Sequence, residues 1–128
     1  MMTPSSLLVW LDQVNHLKQL PRTGWLLAGV AQAESVAEHS YAVTLLALVL
    51  AETINTDWVG QGVERALSIE QVVQVALVHD LAESILTDLP KRSADLLGRA
   101  VKHAAEARAL VQLLTDVPNA ALYQQRWT

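Results

Sequence analysis

Residues 75–87 read VALVHDLAESILT. His79, Asp80 and Glu83 fall on the same helical stripe as Val72, Val75 and Ala76. The positions step as i, i+3, i+4, i+7, i+8 and i+11, which is one face of a helix. The first half of that face is apolar and the second half is ionisable. An unpaired carboxylate carried into an apolar site costs on the order of several kcal/mol. Any fold open to this chain must therefore bring partners to these three groups.

The rest of the sequence reads as helices joined by turns. Thr3-Pro4 is an N-cap followed by proline at the first helical position, and Leu7, Leu11, Val14 and Leu17 follow at helical spacing until Pro21. Arg22–Glu34, with Gly24 and Gly29, reads as a loop. Ser35 and Glu38 form a capping box that opens a helix to about Ile54. Asn55–Ala66 reads as a loop. Ser68 and Gln71 make a second capping-box match, opening the helix that carries the ionisable face as far as Asp88-Leu89-Pro90. Ala94–Leu114 is helix-forming throughout, and Pro118 precedes a last short helix, Asn119–Trp127. No segment alternates with period two, so no sheet is expected. The chain is 52% hydrophobic but has no Phe, so its core must be mostly Leu, Val and Ala, which favours helix. These signals predict one domain over residues 1–128, an all-α bundle of about five or six helices with the His-Asp helix at its centre.

Composition removes several classes of function. There are no cysteines, which excludes disulfides and thiolate metal sites. A net charge of −4 without a basic stripe argues against long nucleic acid. The start, MMTPSSLLVW, lacks the features of a signal peptide, and the apolar run Tyr41–Ala51 is about half a membrane span. A cytoplasmic protein with no membrane association is expected. A small phosphate-bearing substrate would need local positive charge, from a few Arg or Lys residues or from a metal.

His39 shares a helical face with Ala42, Val43, Leu46 and Leu50. Neutral imidazole and carboxylate oxygen suit divalent first-row ions, and a cation compensates buried negative charge. Helices packed roughly 8–10 Å apart could bring His39 to His79 and Asp80. Plainer readings stand beside this one. His39 alone could be a hydrogen-bonded core histidine, and His79 with Asp80 could be a simple N–H to carboxylate pair.

The residues around these positions resemble the HD-domain metal-dependent phosphohydrolases, and among them the 5′-deoxynucleotidases. The likeness runs in order along the whole chain, through LKQLPRTGW (17–25), SVAEHS (35–40), LVHDLAESILTDLP (77–90) and LVQLL…W near the end. The resemblance implies that His39, His79 and Asp80 bind one divalent metal ion such as Co²⁺, Mn²⁺, Mg²⁺, Ni²⁺ or Zn²⁺. It implies hydrolysis of the phosphate monoester of deoxyribonucleoside 5′-monophosphates, small-molecule nucleotide substrates. It matches Glu83 to an acid that activates water and moves protons, and Asp88 to a catalytic acid near the sugar and the attacking water. It places Arg22 on the substrate side, where a guanidinium suits bidentate phosphate contact. Trp25 could flank the base or anchor the core beside Gly24. Ser35 reads first as an N-cap, and Lys18, Lys91 and Arg92 as solvated charge. His16 and His103 match none of the motifs, and His103 with Glu106 reads as a surface pair.

The chain departs from the family pattern in two places. Thr87 stands where relatives often have Gly, which puts the turn before Asp88 in question. The family's last metal-binding aspartate lies on a helix beyond the position matched by Trp127, and neither Asp95 nor Asp116 matches it. The chain therefore reads as an HD domain lacking C-terminal helices. The fourth ligand could be replaced by water or supplied by a partner, or catalysis could be lost, leaving an HD-like module that binds nucleotide or protein. Exposed Leu and Val stripes point to a homodimer.

Overall fold

A computed structural model describes all of residues 1–128. The chain is all-α: α1 (Pro4–Asn15), α2 (Thr23–Leu27), α3 (Val36–Thr56), α4 (Ile69–Val78), α5 (Glu83–Leu86), α6 (Lys91–Leu97), α7 (Arg99–Leu113) and α8 (Ala120–Trp127), with a 3₁₀ turn at His16–Lys18. The expected five or six helices become eight, for local reasons. Residues 22–34, expected as loop, contain α2. The run from Ile69 to Asp88 divides at His79, where the backbone bonds tighten: Leu81 N–H donates to Val78, Glu83 to Asp80 and Ser84 to Leu81. Three-residue spacing of this kind inside a helix marks a local change of pitch. The run 94–114 divides at Gly98, whose φ of 86° no helix tolerates.

The caps explain where the two central helices begin. Ser35 Oγ accepts the Glu38 N–H and Glu38 reaches back to the Ser35 N–H, closing the expected capping box. The second match is half-formed: Ser68 Oγ accepts from the Gln71 N–H at 3.3 Å, with no reciprocal bond.

Helix α3 packs along α4, α4 along α8, and α5 against α7. A closed core forms at one end from Ala82, Ala109, Leu110 and Leu114, surrounded by Ile85, Leu86, Val117, Tyr123 and Trp127. Elsewhere the packing is open. A cavity of about 580 Å³ runs between α1, α3, α4 and α8, lined among others by Trp10, Val14, Leu45, Leu48, Leu77 and Tyr123. The inward face of α3 carries Val36 and Ala51, both buried, with Val43 half-buried between them. The face expected from sequence is rotated from this one: Ala42, Leu46 and Leu50 are exposed. By length and composition α3 could cross a membrane, but it also carries His39, whose ring contacts residues of the next helical segment.

Candidate metal centre

Two imidazoles and a carboxylate meet where α3 passes the end of α4. Asp80 Oδ2 is 2.9 Å from His79 Nε2 and 3.6 Å from His39 Nε2. The rings stand edge to face with centroids 5.7 Å apart. One ligand atom from each of the three residues lies within 4.8 Å of the others. Ligands held at about 2.0–2.2 Å from an ion stand no more than about 4.4 Å apart. A small inward movement therefore closes this set on a cation.

The remaining ring nitrogens face acceptors. His79 Nδ1 is 2.6 Å from the Ala76 carbonyl, and His39 Nδ1 is 3.3 Å from Glu34 Oε1. With the proton of each ring on Nδ1, an ion taking the place of the His79 Nε2 proton beside Asp80 would meet both Nε2 lone pairs at the same point, the arrangement expected behind metal-ligating histidines. Below them, Glu83 Oε2 is buried with no hydrogen-bond partner. A cation nearby would offset such an orphaned acidic atom. The residues present thus fit a divalent ion.

Arg22 and Asp88 join the cluster from two loops. Arg22 Nη1 donates to Asp80 Oδ2 at 3.3 Å, and its Nε lies 3.7 Å from Asp88 Oδ2. Asp88 Oδ2 also accepts the Thr23 N–H at 2.9 Å, and the Thr23 hydroxyl donates to the Asp88 carbonyl at 2.7 Å. Asp88 therefore caps the first turn of α2 from across the fold and fixes the residue next to Arg22. To reach this position the chain turns at Thr87, with φ 69° and ψ 169°. Glycine adopts that region readily and a β-branched residue pays strain there. The sequence-level doubt about this turn thus has a backbone cause.

The acids differ in character. Burial pushes Asp80 upward, but its hydrogen bond to His79 and the charges of His79, Arg22 and His39 outweigh this and hold it below the usual carboxylate range. Its hydrogen bond raises His79, against burial and with help from the Ala76 carbonyl. Glu83 is pushed from 4.5 up to about 8, first by burial and then by the negative charges of Asp80 and Asp88.

The structure thus brings His39, His79, Asp80, Arg22 and Asp88 together, with Glu83 within their electrostatic reach. Trp25 is 53% exposed on α2, so it is not a core anchor. His103 does not pair with Glu106: it stacks on Trp127 at 4.8 Å between centroids, and Glu106 pairs with Lys102. Lys91 pairs with Asp95 at the surface. Sequence reasoning missed two contributors. Trp127 Nε1 donates to the His79 carbonyl at 3.0 Å, from 48 residues away. Glu34 reaches His39 across a helix cap, where no periodicity links the two. The only sequence signal for Trp127 was its place in the family-like motif.

Residues 14–127 match the HD domain family, and the chain belongs to it. It is 38% identical over 114 residues to 5′-deoxynucleotidase HDDC2 of Bos taurus, covering 88% of this chain and 48% of that protein. It is 34% identical over 113 residues to the Homo sapiens protein of the same name, again covering 88% and 48%. The chain therefore spans about half the length of the curated relatives it matches. Among solved structures, a conserved hypothetical protein from Pyrococcus furiosus superposes with a TM-score of 0.76 at 37% identity, covering 94% of this chain and 65% of that one. A protein from Pyrococcus horikoshii OT3 gives a TM-score of 0.73 at 35% identity, covering 94% and 61%.

Proposed function

We propose that this chain is a metal-dependent phosphohydrolase acting on the phosphate monoester of deoxyribonucleoside 5′-monophosphates. The observation that carries the proposal is the convergence of His39, His79 and Asp80 on one point with Arg22 beside it. The names of the relatives support the substrate class, over the half of their length that this chain matches.

A divalent ion bound there supplies Lewis-acid polarisation of a phosphoryl oxygen and a lowered pKa for its water. The residues divide the remaining work. Arg22 is held between Asp80 and Asp88 with its guanidinium part-exposed, and exchanges those contacts for the substrate phosphate. Asp88 holds the Arg22–Thr23 turn in place and so acts on the substrate through that turn. Glu83, held protonated by burial and by the charges of Asp80 and Asp88, would ionise beside a bound cation and then suit a group that takes a proton from the attacking water and returns it to the leaving 5′-oxygen. Exposed Trp25, three residues from Arg22, offers a face to the base. A second copy of the chain, covering exposed Leu46 and Leu50, and a cytoplasmic setting complete the reading.

The test is phosphate release from a panel of deoxyribonucleoside monophosphates. Metal-stripped protein receives Co²⁺, Mn²⁺, Mg²⁺, Ni²⁺ or Zn²⁺, beside Asp80→Ala. Metal-dependent turnover that vanishes in the variant is expected. Asp80→Ala should also weaken metal binding by more than about 100-fold, since removing groups that merely support a ligand already costs about 10–100-fold. Folded protein inactive with every ion would overturn the enzyme reading in favour of a binding module.

A further inference from the structure

The two histidines of the centre are oriented by different devices. His79 Nδ1 faces the Ala76 carbonyl, a backbone acceptor one turn back on its own helix. His39 has no such acceptor. Its Nδ1 lies 3.3 Å from Glu34 Oε1 and its Nε2 lies 3.6 Å from Asp80 Oδ2, ion-pair contacts that a small turn of the ring would align as a hydrogen bond to one carboxylate or the other. A neutral imidazole carries one proton for two nitrogens. Two carboxylates therefore compete for the His39 proton from opposite edges of the ring. If Asp80 wins, Nε2 is protonated and cannot ligate an ion. If Glu34 wins, Nε2 offers its lone pair beside His79 Nε2.

The main chain of Glu34 is tied to the same site. Arg22 N–H donates to the Glu34 carbonyl at 2.9 Å and Val36 N–H to Leu20 at 2.8 Å, with Pro21 and Ser35 bridged between them. This short antiparallel pairing holds Glu34 against the substrate-side loop while the Ser35 capping box fixes the start of α3. One residue thus connects Arg22, through its backbone, to His39, through its side chain.

We propose that Glu34 is a positioning residue that keeps the His39 proton on Nδ1 and so leaves Nε2 free for the cation shared with His79 and Asp80. This rests on the reading of His39 as a metal ligand. It acts behind the ring and touches neither substrate nor ion.

The test compares the parent chain with Glu34→Ala and Glu34→Gln. Nitrogen NMR of the imidazoles, in metal-free protein at alkaline pH, reads which nitrogen carries the proton. Calorimetry with Co²⁺ alone reads affinity. In Glu34→Ala, His39 should shift to the Nε2–H form while His79 keeps its own, and Co²⁺ affinity should fall about 10–100-fold. Glu34→Gln retains an acceptor oxygen, so it should keep the Nδ1–H form and lose less affinity than Glu34→Ala. An Nδ1–H tautomer persisting in Glu34→Ala, unchanged Co²⁺ affinity, or a parent chain that binds no Co²⁺ would each overturn the proposal. A parent that binds Co²⁺ and shows these shifts without releasing phosphate would sink the nucleotidase reading alone.

Discussion

The polar and apolar regions built around α3 and α4 are completed to different degrees. At the polar end, Asp80 contacts His79, His39 and Arg22, and Asp88 contacts Arg22 and Thr23. Along the apolar side, Leu45 and Leu77 in the wall of an open cavity remain 49% and 58% exposed, and Leu46, Val49 and Leu50 elsewhere on α3 remain 51–59% exposed. A charged cluster needs a few directional partners, and five side chains from four segments supply them. Apolar burial needs area, about 25 cal/mol per Å², and a few helices of 7–15 residues do not cover the long face of α3. Local chemistry can therefore be finished while the hydrophobic surface around it is not.

The sharpest way to break this contrast lies in the packing. Leu110 is 1% exposed in the closed core and Leu46 is 59% exposed on the open face. Leu110→Ala should destabilise the fold by about 2–5 kcal/mol, and Leu46→Ala by less than about 0.5 kcal/mol. Urea unfolding of both variants measures the difference. Equal losses would mean that the open face is covered in solution.

At the polar end the expected effect is pH-dependent. Glu83 titrates near 4.5 when unfolded and near 8 when folded. The folded state thus keeps this proton to higher pH than the unfolded chain. The stability this supplies is whole below about 4.5 and is lost as pH rises through about 8. Metal-free protein should lose stability across that window with a slope of at most about 1.4 kcal/mol per pH unit from this group. Glu83→Gln should flatten the curve, and so should saturating Mn²⁺, whose charge offsets the ionised carboxylate. A metal-free curve unaltered by Glu83→Gln would show that the polar end is not closed around this acid.

The smallest effect concerns the turn that delivers Asp88. Thr87→Gly relieves backbone strain of about 1–3 kcal/mol while adding about 0.5–1 kcal/mol of unfolded-state entropy. A net gain of about 1 kcal/mol in thermal unfolding is expected. A loss would show that the Thr87 side chain carries a compensating contact.

Much of this architecture is legible in the sequence because its signals are local. The Ser35–Glu38 box, the Thr3-Pro4 start and the grouping of His79, Asp80 and Glu83 each follow from spacing over a few residues. The pitch change at His79 was hidden because apolar periodicity continues through it. The break at Gly98 had a visible signal, since glycine inside a helical run warns of an interruption, but the residues on both sides are strong helix formers. The inward side of α3 differs from the expected one because that helix is apolar nearly all round, so periodicity cannot choose between its faces. His39, His79 and Asp80 could be nominated from residue type and resemblance. Arg22, Glu83 and Asp88 could be nominated by resemblance, but the hold of Asp88 on Thr23 and the place of Glu34 behind His39 come only through contacts that cross loops or caps, and the part of Trp127 through a contact between helices.

The bond from Trp127 to the His79 carbonyl has a kinetic side. The Ser35–Glu38 box and the Glu34–His39 contact join residues three to five positions apart, and such contacts form early because little chain entropy is lost in closing them. The His79 carbonyl, turned out of the regular helical ladder, waits for a donor 48 residues downstream. Both histidine rings can therefore be oriented by local contacts while the His79 backbone still lacks its distant partner, so the Trp127 bond is expected to be among the last at the centre to close.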